Sequence, residues 1–325
     1  MKKPNGEFDL VKAIVRGLRP SPATVLGPGD DCAIVKLASG RQLLTVDSMV
    51  EKVHFKLSWF TPEQLGRRAL TVNLSDVAAM GGVPAACVVN LGVREGLGSA
   101  FFIRLYRGLG AMARETSVAI VGGNITRTPA LEITIALLGL SPQAALRRDA
   151  ARVGYDIFVT GTVGDAAAGL RLLEGKLAAR GAARHFLIGR FLNPTARLRA
   201  GRQLAKMRPL PAAIDLSDGL WQDLGHILEQ SGVGAEIEVK ALPLSPAYRA
   251  VVGDDPTLAL GGGDDYELLF CARPGPSQAR WSRYLGVPVR RIGTVVRGRH
   301  AVLLDGGRRR PPPRFGGWDQ LATRR

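Results

Sequence analysis

No run of this 325-residue chain approaches the roughly 20 consecutive apolar residues that a bilayer-spanning helix needs. The opening Met1-Lys2-Lys3-Pro4-Asn5-Gly6-Glu7 is basic but has no apolar segment behind it, so neither membrane insertion nor secretion is expected, and a cytoplasmic protein is. Cysteine is scarce. Cys32, Cys87 and Cys271 are widely separated, odd in number and form no C-x-x-C pair, which argues against a disulfide framework and a thiolate zinc site and for a reducing compartment. The four histidines join no cysteine cluster at zinc spacing, and no serine sits in a nucleophile elbow. Both familiar phosphate-binding loops are also missing: the glycine loop ending in Gly-Lys-Ser/Thr, and the strand-following Gly-x-Gly-x-x-Gly. Zinc and serine hydrolases therefore drop out, and any ATP site must be built from other parts.

An apolar fraction of 46% over this length is ample for a packed core and points to two domains. Acidic charge is in the minority: 44 Lys and Arg face 28 Asp and Glu, a formal +16 with pI near 10.5. Nucleic acid is recognised by clustered basic residues. Here they are spread out, with short runs only at Arg147-Arg148, Arg290-Arg291, Arg308-Arg309-Arg310 and Arg324-Arg325. The pattern fits a solvated basic surface that attracts small anions, and no nucleic-acid partner is expected.

The few carboxylates are not scattered at random. They recur at the edges of apolar, glycine-punctuated segments: Asp30-Asp31, Asp47, Ser75-Asp76, Asp215-Leu216-Ser217-Asp218 and Asp264-Asp265. Each alone has an ordinary reading. Asp30-Asp31 after Gly27-Pro28-Gly29 is what a turn carries; Ser75-Asp76 is a polar pair that a helix would show to solvent; Asp215 to Gly219 is a helix cap. Together they supply many hard oxygen ligands on short loops, the chemistry that Mg²⁺ and a polyphosphate require. Asp47, placed at a strand end, needs a ligand or partner to be buried there. His54, between Val53 and Phe55, reads either as a packing residue or as part of a site near Asp47.

Period and turn signals outline the elements. Strands are expected at Leu43–Val46, Ala85–Val93, Val118–Val121, Leu131–Leu140, Tyr155–Thr160, Ala212–Leu216 and Leu268–Ala272. Helices are expected at Pro62–Met80, Phe101–Arg114, Asp165–Leu177 and Leu220–Gln230. Gly122-Gly123-Asn124 reads as a tight corner after a strand, Asp165 as a cap, and the tail around Gly306-Gly307 and Pro311-Pro312-Pro313 as a loop closing over something. Ser141-Pro142 and the basic stretch to Arg152 mark a boundary. Leu74-Ser75-Asp76 and Leu216-Ser217-Asp218 raise the idea of a duplicated unit, which two tripeptides support only weakly.

Eight ordered motifs carry a resemblance: Gly29-Asp30-Asp31-Cys32-Ala33, Thr45-Val46-Asp47 with Val53-His54-Phe55, Asn73 to Gly81, Val121 to Arg127, Thr160 to Asp165, Ile214 to Gly219, Gly262 to Leu268, and Gly317-Trp318-Asp319. In them the chain resembles the thiamine-monophosphate kinases, of the superfamily that includes aminoimidazole ribonucleotide synthetase and selenophosphate synthetase. The resemblance implies a mixed α/β (α+β) fold of two domains, 1–140 binding ATP and Mg²⁺ and pairing its sheet in a homodimer, and 141–325 completing the cleft. It implies ATP-dependent phosphorylation of thiamine monophosphate with several Mg²⁺ ions. Carried over by position, Asp30, Thr45, Val46, Asp47, Asp76, Asn124, Asp215 and Asp218 would hold metal; Tyr106, Gly123, Asn124, Arg148 and Ser217 would contact ATP; His54, Asp264 and Trp318 would contact the thiamine substrate. Three departures stand out. The family pattern has aspartate at Asn124, glutamate at Asp264, and Arg-Ser-Gly-Ala where this chain has Arg148-Asp149-Ala150-Ala151.

Overall fold

A computed structural model describes residues 24–27, 29–37 and 40–311. The first sheet contains β1 (Thr24–Leu26), β2 (Ala33–Leu37), β3 (Gly40–Val50), β4 (Val83–Val93), β5 (Ala119–Arg127) and β6 (Glu132–Leu140), in the order β1-β2-β3-β6-β4-β5. Among the described residues of this sheet, the β4–β5 pair is parallel and the other pairs are antiparallel. One face is covered by α1 (Pro62–Ala79) and α2 (Ser99–Thr116), which pack on each other. Helix α1 starts on a capping box, with Thr61 and Gln64 satisfying each other's backbone N–H groups and Pro62 in the first turn. Leu65, Leu70, Leu74 and Val77 on α1 meet Leu43, Ile133, Ile135 and Leu137 from the sheet in one buried core.

Away from the irregularities near Thr24, Pro84 and Cys87, alternation sorts the strand residues onto two faces. Asp47 lies in one row across the sheet with Ile135, Val89 and Gly123, on the helix-covered side. Ser48 begins the next row, with Thr134, Asn90 and Asn124, on the opposite side. That second face is open, and it exposes Leu44 (46%), Val46 (60%) and Val88 (43%).

The second sheet contains β7 (Asp156–Thr160), β8 (Ala212–Asp215), β9 (Gly234–Glu238), β10 (Leu268–Ala272), β11 (Val289–Val296), β12 (Ala301–Asp305) and β13 (Arg308–Arg310). Its order is β13-β12-β9-β11-β7-β10-β8. Around it stand α3 (Asp165–Leu173), α4 (Gly181–Leu192), α5 (Leu198–Leu204), α6 (Leu220–Ser231), α7 (Pro246–Val252), α8 (Thr257–Gly261) and α9 (Gln278–Leu285). Among the described residues no helix is long and apolar enough to cross a membrane. All three cysteines are buried, free thiols.

Several expectations need correction. Strand β3 does not end at Asp47 but continues to Val50, because β6 pairs with it residue by residue to Glu132. Nor do Gly122-Gly123-Asn124 form a corner: β5 runs straight through them, held by β4. Gly123 is required there by strand contact, since a Cβ would fall 2.1 Å from the Val89 carbonyl oxygen. Asp165 does not cap α3; Gly164 does, and Asp165 is buried in the first turn accepting from Thr162 and Ser245. Helix α3 ends at Leu173, short of Leu177. Gly306-Gly307 is the turn of the β12–β13 hairpin, both residues at positive φ, rather than part of a loose loop. The two Leu-Ser-Asp tripeptides sit in unlike settings, one within α1 and one between β8 and α6, so they do not mark a repeat.

Candidate active site

The last turns of α1 face the second sheet, and this sets the site. Asn73 Oδ1 accepts the Asp47 N–H at 3.1 Å, while its Nδ2 donates to the Ala69 carbonyl, so β3 and α1 are fixed side by side. Ser75, fully buried, donates to Asp215 Oδ2 at 2.6 Å across the domain junction. Thr45 donates a short hydrogen bond to Asp76 Oδ2. The Ser75-Asp76 pair thus points inward, away from the solvent that an isolated amphipathic helix would offer it. From the loop before β2, Asp31 joins Asp76 and Asp215, with one carboxylate oxygen of each lying within 4.8 Å of the others.

At that spacing two unit negative charges repel by about 3.5 kcal/mol with an effective dielectric constant of about 20. The consequence is seen in proton affinity. Burial, reinforced by Asp31, pushes Asp30 up to about 7 and Asp47 up to about 6. Burial with the charges of Asp47, Asp215 and Asp31 lifts Asp76 well above the usual carboxylate range, and burial with Asp31 does the same to Asp215. Arg148 is the cation set against this group. Its Nη2 donates to Asp31 Oδ1 at 3.0 Å and its backbone N–H to Asp30 Oδ1 at 3.1 Å. Burial works against its charge, but Asp31 and Asp30 outweigh that and hold it protonated. One guanidinium cannot balance five carboxylates. Asp31, Asp76 and Asp215 form an all-oxygen donor set with surplus negative charge, which fits a hard divalent cation.

Asp31 is a residue that sequence reasoning did not include among the metal ligands, and Asp30 was preferred to it. In an adjacent pair the two carboxylates leave the chain in different directions; here Asp30 is bonded to the Arg148 amide while Asp31 enters the cluster. Asp223 was also missed. It sits 2% exposed in the first turn of α6 and accepts the Asp218 and Gly219 N–H groups at 3.2 and 3.1 Å, fixing the bend that displays Ser217 and Asp218. Its signal was the spacing of a carboxylate four and five residues after a strand–helix corner.

The other expected residues fall in separate places. His54 lies just after β3, and its Nδ1 accepts the Val50 N–H at 3.0 Å, so in the neutral ring the proton is on Nε2. Asp264 lies on the loop before β10 at φ 72°, with Oδ1 accepting from Arg68 at 2.5 Å and Tyr266 at 3.0 Å. Its own N–H donates to the Ser217 carbonyl at 2.8 Å, so the Asp264 loop is tied to the Ser217-Asp218 bend. Tyr106 is half-buried on α2 against the first core. Asn124 is not brought to the carboxylates within this chain. It is three strands from Asp47, roughly 14 Å at usual strand spacing, and on the other face of the sheet. Its Nδ2 donates to Asn90 and Thr126. Trp318 lies outside the described residues.

A pH dependence follows. A divalent cation binds the ionised carboxylates, so with Asp30 raised to about 7 and Asp47 to about 6 it must displace protons at acidic pH. For stability the sign is the reverse of the usual aspartate. These folded-state values lie above the unfolded ones, so metal-free stability declines as pH rises from about 4 toward 7, and added Mg²⁺ restores it most at the alkaline end. Thermal melts with graded MgCl₂ at pH 6, 7 and 8 are expected to give half-maximal stabilisation at several-fold less Mg²⁺ at pH 8 than at pH 6. A pH-independent midpoint would mean that these carboxylates do not take up the ion.

Comparison with known proteins now adds the family. Residues 29–141 match the family model described as AIR synthase related protein, N-terminal domain, and residues 152–306 match the C-terminal domain of the same group. A thiamine-monophosphate kinase of Salmonella typhimurium is 41% identical over 82% of this chain and 82% of its own. That of Aquifex aeolicus is 37% identical over 94% of this chain and 96% of its own. A solved structure, AaThiL complexed with AMPPCP and TMP, superposes with a TM-score of 0.84 at 35% identity, covering 97% of both chains. This chain belongs to the thiamine-monophosphate kinase family.

Proposed function

We propose that the protein transfers the terminal phosphoryl group of ATP to thiamine monophosphate, giving thiamine diphosphate and ADP. The observation that carries this reading is the group of carboxylates drawn from four separate segments to the domain junction, with Arg148 alongside. Relatives named for this activity, and a like structure complexed with AMPPCP and TMP, support it. The acceptor is a phosphate oxygen that already carries negative charge, so no side chain has to remove a proton. A bond forms from that oxygen to the γ-phosphorus as the bridging bond to the β-phosphate breaks, and the electron pair leaves on ADP. The obstacle is bringing two polyanions together, which is a matter of positioning and charge. This explains a site rich in aspartates with no nucleophile and base pair.

Asp31, Asp76 and Asp215 would hold Mg²⁺ with Asp30, Thr45, Asp47, Asp218 and the main-chain oxygen of Val46. Bound there, the ions would neutralise charge on the triphosphate and on the transferring group. Arg148 and Ser217 approach ATP from the second sheet, and Tyr106 and Gly123 from the first. His54, with Nε2–H as donor, and Asp264 face the thiamine substrate, and Trp318 is assigned there by resemblance alone. Asn124 can share such a site only if a second copy of the chain supplies it, since a ligand oxygen must come within about 2.1 Å of Mg²⁺. The open apolar face carrying Leu44, Val46 and Val88 supports a homodimer paired through these sheets. A cytoplasmic setting fits the free thiols.

Incubation with ATP, MgCl₂ and thiamine monophosphate, followed by chromatography of the thiamine esters, is expected to show thiamine diphosphate and ADP in equal amounts. ATP consumption without that product, or with a different acceptor alone, would overturn the assignment.

A further inference from the structure

Arg68 belongs to none of the sequence motifs above, yet it makes an unusual set of contacts. It sits in the second turn of α1, 3% exposed. A guanidinium so deeply placed needs partners on every side. Nη2 donates to Asp264 Oδ1 at 2.5 Å and Nη1 to the Phe191 carbonyl at the end of α4. Its central carbon stands 4.8 Å from the ring centre of Phe191, 5.7 Å from Tyr266 and 6.0 Å from Phe60, within cation–π range of all three. Its Nε is buried without a hydrogen-bond partner. The residue thus reaches from the helix that bears Asp76, in the first domain, to the loop that bears Asp264, in the second.

The loop it grips is held in an unfavourable backbone conformation. Asp264 and Tyr266 are both non-glycine residues at positive φ, 72° and 51°, a state that persists only where surrounding contacts impose it. Tyr266 donates its hydroxyl to the same Oδ1 that Arg68 holds. The loop backbone is tied to the neighbouring strand end by Asp264 N–H to Ser217 and Tyr266 N–H to Leu216, each at 2.8 Å. One oxygen of Asp264 therefore carries two donors, and the carboxylate is aimed by Arg68 and Tyr266 rather than by its own flexibility.

We infer that Arg68, with Tyr266, is a positioning residue that fixes the Asp264 carboxylate for the acceptor substrate and ties its loop to the metal-bearing helix. This rests on the reading of Asp264 as a thiamine-side contact. Where glutamate would reach further, the shorter Asp264 has little freedom to search for the substrate, and a rigid two-donor mount keeps it in one orientation. A planar, always charged fork suits this role; a lysine would keep the charge and lose both the second hydrogen bond and the stacking.

The test is steady-state kinetics on Arg68→Lys, Arg68→Met, Tyr266→Phe, Asp264→Asn and the double variant Arg68→Met/Asp264→Asn, with thermal melts of each. Tyr266→Phe preserves volume and keeps the experiment decisive if Arg68→Met does not fold. The expected result is a KM for thiamine monophosphate raised about tenfold in Arg68→Met and severalfold in Tyr266→Phe, with KM for ATP within about twofold of wild type. Arg68→Lys should fall between wild type and Arg68→Met. The double variant should be no worse in acceptor KM than Asp264→Asn, because Arg68 acts through that carboxylate. Additive losses, or equal increases in both KM values tracking a lower melting temperature, would overturn the inference and leave Arg68 a packing residue. A wild-type protein that makes no thiamine diphosphate would instead sink the proposed function, a separate outcome.

Discussion

Replacing Asp76 by asparagine is expected to lower turnover by roughly a thousandfold or more and, in the absence of metal, to raise the melting temperature. The first effect would be the loss of a charged oxygen from the carboxylate group proposed to hold Mg²⁺, which at about 4 kcal/mol of transition-state stabilisation corresponds to that rate factor. The second follows from the charge balance of the empty site. Burial and the neighbouring Asp47, Asp215 and Asp31 hold the Asp76 carboxyl well above its ordinary range. A carboxylate whose folded-state value lies above its unfolded one is stabilising only when protonated, and it costs stability at neutral pH. The amide removes that cost, and its oxygen still accepts from Thr45, the bond that anchors α1 to β3. MgCl₂ should then stabilise the wild type and much less the variant, reversing their order. Melts with and without MgCl₂, run beside the product assay, decide it. Wild-type turnover in a folded Asp76→Asn protein, or a variant that is less stable without metal, would mean that Asp76 serves packing rather than the ion.

Much of this architecture was legible because period and punctuation agree. Helix α1 announced itself through Pro62 and the apolar stripe Leu65, Ala69, Leu70, Leu74 and Val77, and β4, β6, β7, β8 and β10 through apolar runs bounded by turn residues. What misled was local reasoning about ends. Asp47 looks like a terminus because a polar residue follows apolar ones, and Asn124 because it follows two glycines, but pairing with β6 and β4 carries both strands onward. The site was legible in outline, as a set of aspartates, and illegible in two respects. Which member of Asp30-Asp31 turns inward depends on the distant Arg148 amide, and Arg68 pairs with a residue 196 positions away. Neither leaves a trace in sequence spacing. The face on which Asn124 stands is likewise set by strand register, which no motif encodes.

That register leads to the last expected result: Val88→Arg is expected to convert the proposed homodimer into folded monomers and to reduce turnover at least about a hundredfold. Val88 lies in the row Val46, Ala136, Val88, Gly122 on the open face of the first sheet, with Leu44 and Leu138 in the row beyond. Its side chain is 43% exposed and outside the core, so arginine there leaves the chain able to fold. In a twofold pairing of these faces the same patch meets itself, and the arginines from both copies are buried within that one patch in a desolvated setting. Like charges so placed cost several kcal/mol, more than the hundredfold in association that the prediction requires. Activity should fall with the dimer because Asn124 stands on this same side, opposite the face that bears Asp47, and can reach a cation site only in the other copy. Light scattering and turnover, each measured across a range of protein concentration, give the answer. A wild-type chain that is monomeric at every concentration removes the dimer altogether. A Val88→Arg monomer with full turnover would leave the dimer standing but confine each site to a single chain, with Asn124 outside it.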